Sequence, residues 1–197
     1  MHRLTRTFLG TATAATVVVA LGGSALAGPP IVQDHYEFTD SHIEQEEHEG
    51  FCPEVPFLVR FDVEAEGFFS GVHHGDGFAY FGDRYRITET YTNVETGRRI
   101  SILSAGAFKD QTITDNGDGT ITITSQDAGR TRVFDNDGNL LFRDMGLVRF
   151  EILVDTAGTP GDPDDDVFVE FLGDTKEAGL FETADRDFCA DILEFLG

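Results

Sequence analysis

Glu89 interrupts an otherwise aromatic and aliphatic face, Tyr85, Ile87 and Tyr91, on a stretch with the period-two alternation of a β-strand. A carboxyl on that face points inward, where loss of water raises its pKa. It then suits general acid or base work, with Tyr85 or Tyr91 polarising a bound molecule. Three other placements leave Glu89 without a chemical role: a solvent-facing mouth, a bulge that shifts the frame, or pairing with an arginine. Tyr85, Ile87 and Tyr91 are, by the same alternation, the candidate ligand-binding side chains.

A second group of oxygens lies in the loop containing Asp162, Asp164, Asp165 and Asp166, with Asp155 close by in sequence. Carboxylates there supply hard donors of the kind calcium takes in sixes to eights. Neither this loop, nor 115–120, nor 135–139 has the EF-hand spacing, so the loop reads first as solvated and the calcium site as its alternative. His42 and His48 lie among glutamates, and imidazole suits zinc or copper. No two histidines have the helical i, i+4 or short strand spacing that aims two rings at one ion. The expectation for His35, His42, His48, His73 and His74 is therefore exposed loop positions and no transition metal. The chain has no G-x-S-x-G elbow, and the glycines of 71–77 lack the lysine and strand-to-helix setting of a phosphate loop.

The elements that must position these residues belong to a chain of 197 residues with 14 Lys+Arg against 36 Asp+Glu, a formal charge of -22. That charge disfavours nucleic acid and anionic membrane surfaces, both polyanions that need cationic patches. It also favours a soluble monomer. With 40% hydrophobic residues, 18 of the residues being phenylalanine, the chain has enough apolar surface for one core. Residues 1–27 carry Arg3 and Arg6, then an uncharged and largely apolar run, then Ala25-Leu26-Ala27. This pattern is that of a secretory signal cleaved after Ala27, leaving residues 28–197 as a single domain released outside the cell. Arginine outnumbers lysine there, and alanine, glycine and aspartate are plentiful, as in a GC-rich bacterial genome or a salt-loving source. Cys52 and Cys189 are the only two cysteines, and in an oxidising compartment they are expected to form a disulfide.

Strands are expected over 31–38, 57–66, 79–92, 99–105, 111–114, 120–124, 130–134, 139–142, 147–155 and 167–172, with a glycine-rich loop at 67–77. Turns rich in Asn, Asp and Gly at 93–97, 116–119 and 136–138 join them as hairpins. Residues 39–50 read as an acidic connection whose glutamates form no packed face. Residues 185–195 carry Phe188, Ile192 and Phe195 at helical spacing. The fold class expected is all-β: a single antiparallel up-and-down β-barrel of about eight or nine strands with a short C-terminal helix.

Tyr91-Thr92-Asn93 with Thr96-Gly97, then 114–120, 150–155, Gly158-Thr159-Pro160, 164–166 and Arg186-Asp187-Phe188-Cys189 resemble, in their order, a family of secreted proteins from high-GC Gram-positive bacteria. The resemblance implies secretion and a β-barrel similar to that of plant allene oxide cyclases and the wider lipocalin-like group. It implies no activity and no catalytic residues. Three functions follow as expectations: a barrel binding a small, partly apolar molecule, a cyclase- or isomerase-like enzyme using Glu89, or a filled structural barrel with no ligand. A binder needs an apolar cavity, an enzyme needs convergent polar groups within one, and a structural barrel needs neither.

Overall fold

The protein is described by a computed structural model covering residues 32–197, so the leader at 1–27 and the first expected strand residue lie outside the described residues. Seven strands follow one another as an antiparallel meander: β1 (Val32–Ile43), β2 (Val59–His73), β3 (Ala79–Asn93), β4 (Arg99–Asp115), β5 (Thr120–Phe134), β6 (Leu140–Asp155) and β7 (Val167–Phe181). A one-turn helix α1 (Glu44–Glu47) separates β1 from β2. A single 3₁₀ turn (Pro163–Asp165) precedes β7, and a helix α2 (Phe188–Leu196) ends the described chain.

Two expectations are corrected here. Among the described residues the strands number seven, and the sheet is open, with β1 and β7 at its edges. The reason for the count is visible at the glycines. Gly67, Gly106, Gly129 and Gly146 fall outside the expected strands, yet each lies inside one. Cross-strand register aligns Tyr36, Gly67, Tyr85, Gly106, Gly129, Gly146 and Gly179 in one row across the sheet. The missing side chains make room for rings from neighbouring strands. A Cβ on Gly106 would stand 2.6 Å from the Tyr85 phenol oxygen, and one on Gly67 would overlap the Tyr36 ring. Segments that read as pairs of short strands therefore fuse into single strands of 15 to 17 residues. In an antiparallel meander an odd strand count sets the first and last strands parallel, so antiparallel pairing cannot close this sheet into an up-and-down barrel.

The alternation places His42, Phe61, Tyr91 and Ile100 in one row, and Asp40, Val63, Glu89, Ile102, Val133 and Phe142 in the next. Both rows lie on the face that carries the buried strand residues, the inner face. Every arginine and lysine borne by a strand lies on the opposite, outer face, where Arg60 pairs with Asp62 at 2.8 Å and Arg86 with Glu66 at 3.0 Å.

Two small cores sit at opposite ends of the inner face. At one end, α2 lays Ile192 and Leu196 on Val59 and Ile100, with Phe57, Tyr91 and Phe195 around them. The helix starts where the Asp187 carboxylate accepts the Ala190 N–H at 2.9 Å, and such a cap stabilises by about 1 kcal/mol. Cys52 and Cys189 form the expected disulfide, 137 residues apart in sequence, and tie α2 to the segment entering β2. At the other end, Ile113, Ile121 and Val154 pack with Phe78, Tyr80, Ile123 and Ile152. There the loop after β6 is held by Thr156, whose N–H and hydroxyl both donate to the Gly119 carbonyl at 3.0 Å. Among the described residues, no helix is long and apolar enough to cross a membrane.

Candidate functional site

The side chains best placed for chemistry gather where β1 runs into α1, beside the α2 end of the inner face. β1 extends to Ile43, well past its expected end, because residues 39–43 pair with Arg60–Glu64 of β2. This puts His42 opposite Phe61, with ring centroids 5.2 Å apart. The chain then turns through α1, which is tied to β2 by Gln45: its amide N–H donates to the Phe57 carbonyl at 3.1 Å and its oxygen accepts the Val59 N–H at 3.0 Å.

That tie buries Glu44, which is only 5% exposed, and corrects the expectation that no glutamate of the acidic connection packs. A carboxylate so placed must find partners. His48, at the C-cap of α1, meets Glu44 Oε2 through Nδ1 at 2.7 Å, and His42 Nε2 lies 3.9 Å from the same oxygen. His42 Nδ1 in turn meets Asp40 Oδ2 at 2.8 Å. Thus His42 is partly buried between two elements, while His48 keeps an exposed side.

Glu89 and Tyr91 adjoin this cluster electrostatically. Both belong to the inner-face rows that contain Asp40 and His42. The Glu89 carboxyl is raised above the usual range, first by burial and then by the charge of Glu44. The Tyr91 phenol is raised by burial, then by Glu89 and Glu44. Among the described residues no arginine pairs with Glu89, because the strand-borne arginines project from the other face. Tyr91 packs between Phe61, at 5.0 Å, and Phe188 of α2, at 5.1 Å.

Tyr85 and Ile87 occupy the same face as Tyr91 but further along β3. Tyr85 is committed to Asp127, donating to its two oxygens at 2.9 and 3.0 Å, and Tyr36 donates to Asp83 at 2.8 Å. Asp110 accepts from the Ser125 hydroxyl at 2.7 Å and the Phe81 N–H at 2.8 Å. The middle of the inner face is therefore a belt of paired phenol and carboxyl groups, in which Asp83 Oδ1 alone is buried without a partner among the described residues. On the outer face, behind the Tyr36–Gly67–Tyr85 row at the β1 to β3 side, lies an open depression of about 590 Å³ lined mainly by outer-face residues, among them His35, Phe68, Arg84 and Arg86.

The aspartate loop is turned largely on itself. Asp162 accepts the Asp164 N–H at 3.2 Å, and the Thr159 hydroxyl donates to Asp165 at 2.7 Å. Asp166 is raised by burial and then by Asp165, Asp162 and Asp155, so the acids do face one another. Among the described residues, only His42, Glu44 and His48 form a group of at least three such side chains with converging donor atoms. The sequence signal was present. Glu44 and His48 stand at i, i+4 spacing, a pairing of histidine with glutamate that a pattern of paired histidines does not contain. The convergence of His42 required the strand-to-helix turn, which acidity alone concealed.

No family model, curated protein or solved structure matches this chain. What the protein does has to be argued from its own side chains.

Proposed function

We propose that this is a secreted, disulfide-linked binding protein that takes a small, partly apolar, neutral or cationic molecule on the inner face beside α2. The observation that carries this reading is the segregation of charge across the sheet. Phe61, Tyr91 and the partnerless Glu89 share the inner face, while every strand-borne arginine and lysine lies on the outer one. Arg186 stacks on Phe142 near this end, but it is tied to Asp191 and Glu194. Aromatic rings over a carboxylate attract a cation or a polarised neutral group, and a carboxylate or phosphate ligand meets uncompensated repulsion. Secretion is supported by the pattern of residues 1–27 and by the disulfide, a bond characteristic of oxidising compartments. The resemblance to lipocalin-like proteins supports the same reading, with the ligand on an open sheet in place of a closed lumen.

The test uses three decyl probes that differ only in the head group: trimethylammonium, hydroxyl and carboxylate. The chain has no tryptophan, so tyrosine emission reports binding at the inner face. The expected outcome is one-to-one binding of the first two, with the carboxylate roughly ten-fold weaker, and loss of that preference in Glu89→Gln. Equal binding of all three, or binding of none, defeats the proposal. A cyclase-like activity would use the same pair, Glu89 as acid or base and Tyr91 as the polarising donor. It would be recognised by turnover in place of stoichiometric retention.

A further inference from the structure

We infer that His42, Glu44 and His48 form a binding site for one divalent transition ion, zinc by the character of the donors. The ligand atoms of the three side chains lie within 4.8 Å of one another. Around a tetrahedral zinc with bonds of about 2.0 to 2.1 Å, ligand atoms stand roughly 3.3 Å apart. The spacing from Glu44 Oε2 to His48 Nδ1 is 2.7 Å and to His42 Nε2 is 3.9 Å, on either side of that value. Rotations within the side chains cover the difference.

Two features separate this group from an ordinary acidic surface. The first is His42 Nε2, which is shielded from solvent and has no hydrogen-bond partner. Asp40 accepts at 2.8 Å from Nδ1, and in the neutral ring this leaves a lone pair on Nε2, 3.9 Å from the Glu44 carboxylate. In that form two acceptors face each other beside a shielded nitrogen, and a cation between them satisfies both. The second is the Asp40 contact itself. A carboxylate on the distal nitrogen is the usual outer partner of a metal-bound imidazole, fixing its tautomer and raising its basicity.

The remaining donor, His48, lies with its side chain 46% exposed and supplies the way in. Its Nδ1 now faces Glu44. To ligate, it takes the tautomer with the proton on Nε2, where water accepts it. Two imidazoles and one carboxylate match zinc among the common ions, since calcium and magnesium take oxygen donors. Three protein donors leave a fourth position for water or for a small molecule. The site stands independently of the ligand proposed above, because its argument uses none of the inner face's apolar residues.

Calorimetric titration of zinc chloride into the oxidised, chelator-stripped chain at near-neutral pH tests the assignment. The expected result is one zinc per chain. Affinity should fall at least ten-fold in His42→Ala and in His48→Ala, roughly the size of effect that loss of a shell residue produces, and should stay unchanged in His73→Ala. Calcium in equal amount should not compete. Circular dichroism confirms that each variant is folded. If His42→Ala does not fold, ¹⁵N chemical shifts of the wild-type imidazoles decide instead, with His42 Nε2 and His48 Nδ1 moving together on zinc addition. Zinc uptake that survives unchanged in the His42→Ala/His48→Ala double variant, uptake displaced by equimolar calcium, shifts confined to other histidines, or no uptake at all overturns it.

Discussion

The two ends of the inner face are built from the same strands and closed in different ways. At one end a nine-residue helix carries Ile192 and Leu196 onto Val59 and Ile100, and a disulfide holds that helix down. At the other, Ile113, Ile121 and Val154 come from three adjacent strands already fixed by backbone pairing, and a hydrogen-bonded loop finishes the edge. A core made of paired strands has its geometry supplied by the ladder. A core made with a short helix does not, since nine residues are marginal as an isolated helix and owe their order to packing. The covalent tie stands at the end that lacks a ladder, which is also where the titratable side chains gather.

Removing that tie is the strongest way to break the comparison. With Cys52 and Cys189 both changed to serine, the chain-entropy model for a loop of 137 residues gives a loss of about 5 kcal/mol. Denaturant unfolding measures the total, and amide exchange shows where it falls. The α2 amides should lose protection well before those of β4 to β6. Uniform loss of protection would mean that the two ends unfold as one unit and that their contrast is architectural only.

Truncation at the two cores comes next. Ile192 and Ile121 are almost equally buried, at 0% and 2% exposure. Ile192→Ala is expected to cost about 3 to 4 kcal/mol and Ile121→Ala about 2 to 3 kcal/mol, both within the range for cavities left by a deleted aliphatic side chain. The smaller figure reflects the chance for flanking strands to close on the gap. Equal losses in urea titrations, or a larger loss at Ile121, would show that the helix packs as rigidly as the ladder.

What was legible in the sequence follows the same division. Local patterns read correctly: the alternation of 57–66, the turns closed by Gly97, Gly119 and Gly138, and the C-terminal helix. The disulfide followed from counting cysteines. Features set by register did not read. Gly67, Gly106, Gly129 and Gly146 fell outside the expected strands, because a glycine in one strand says nothing of the ring or backbone that a neighbouring strand lays over it. The run 39–50 looked solvated because its composition is acidic, whereas Gln45 hooks it to β2 and buries Glu44. Closure also escaped the pattern, since fusing strands across the glycine row changed their number from even-or-odd ambiguity to seven.

The smallest effect expected separates two inner-face acids, Glu89 at the helix end and Asp110 in the belt across the middle. Glu89 and Asp110 are both raised above the usual carboxylate range by burial first. Glu44 pushes Glu89 further up, while the Phe81 N–H and the Ser125 hydroxyl hold Asp110 partly back. A carboxyl whose folded pKa exceeds its unfolded one binds its proton more tightly when folded. Stability is therefore greatest below the unfolded value and falls as pH rises through the folded one. Glu89→Gln removes that penalty without removing a hydrogen bond, so in chelator at near-neutral pH it should raise the melting temperature by a few degrees. The gain should fade as pH drops to the ordinary glutamate value of 4.5. Asp110→Asn relieves the same burial but weakens two charge-assisted hydrogen bonds, and should lose about 1 kcal/mol at neutral pH. Melting curves across pH give both signs in one experiment. If Glu89→Gln destabilises at neutral pH, then Glu89 has a positive partner in the folded chain, and the inner face is not the cation-free surface that its strand register describes.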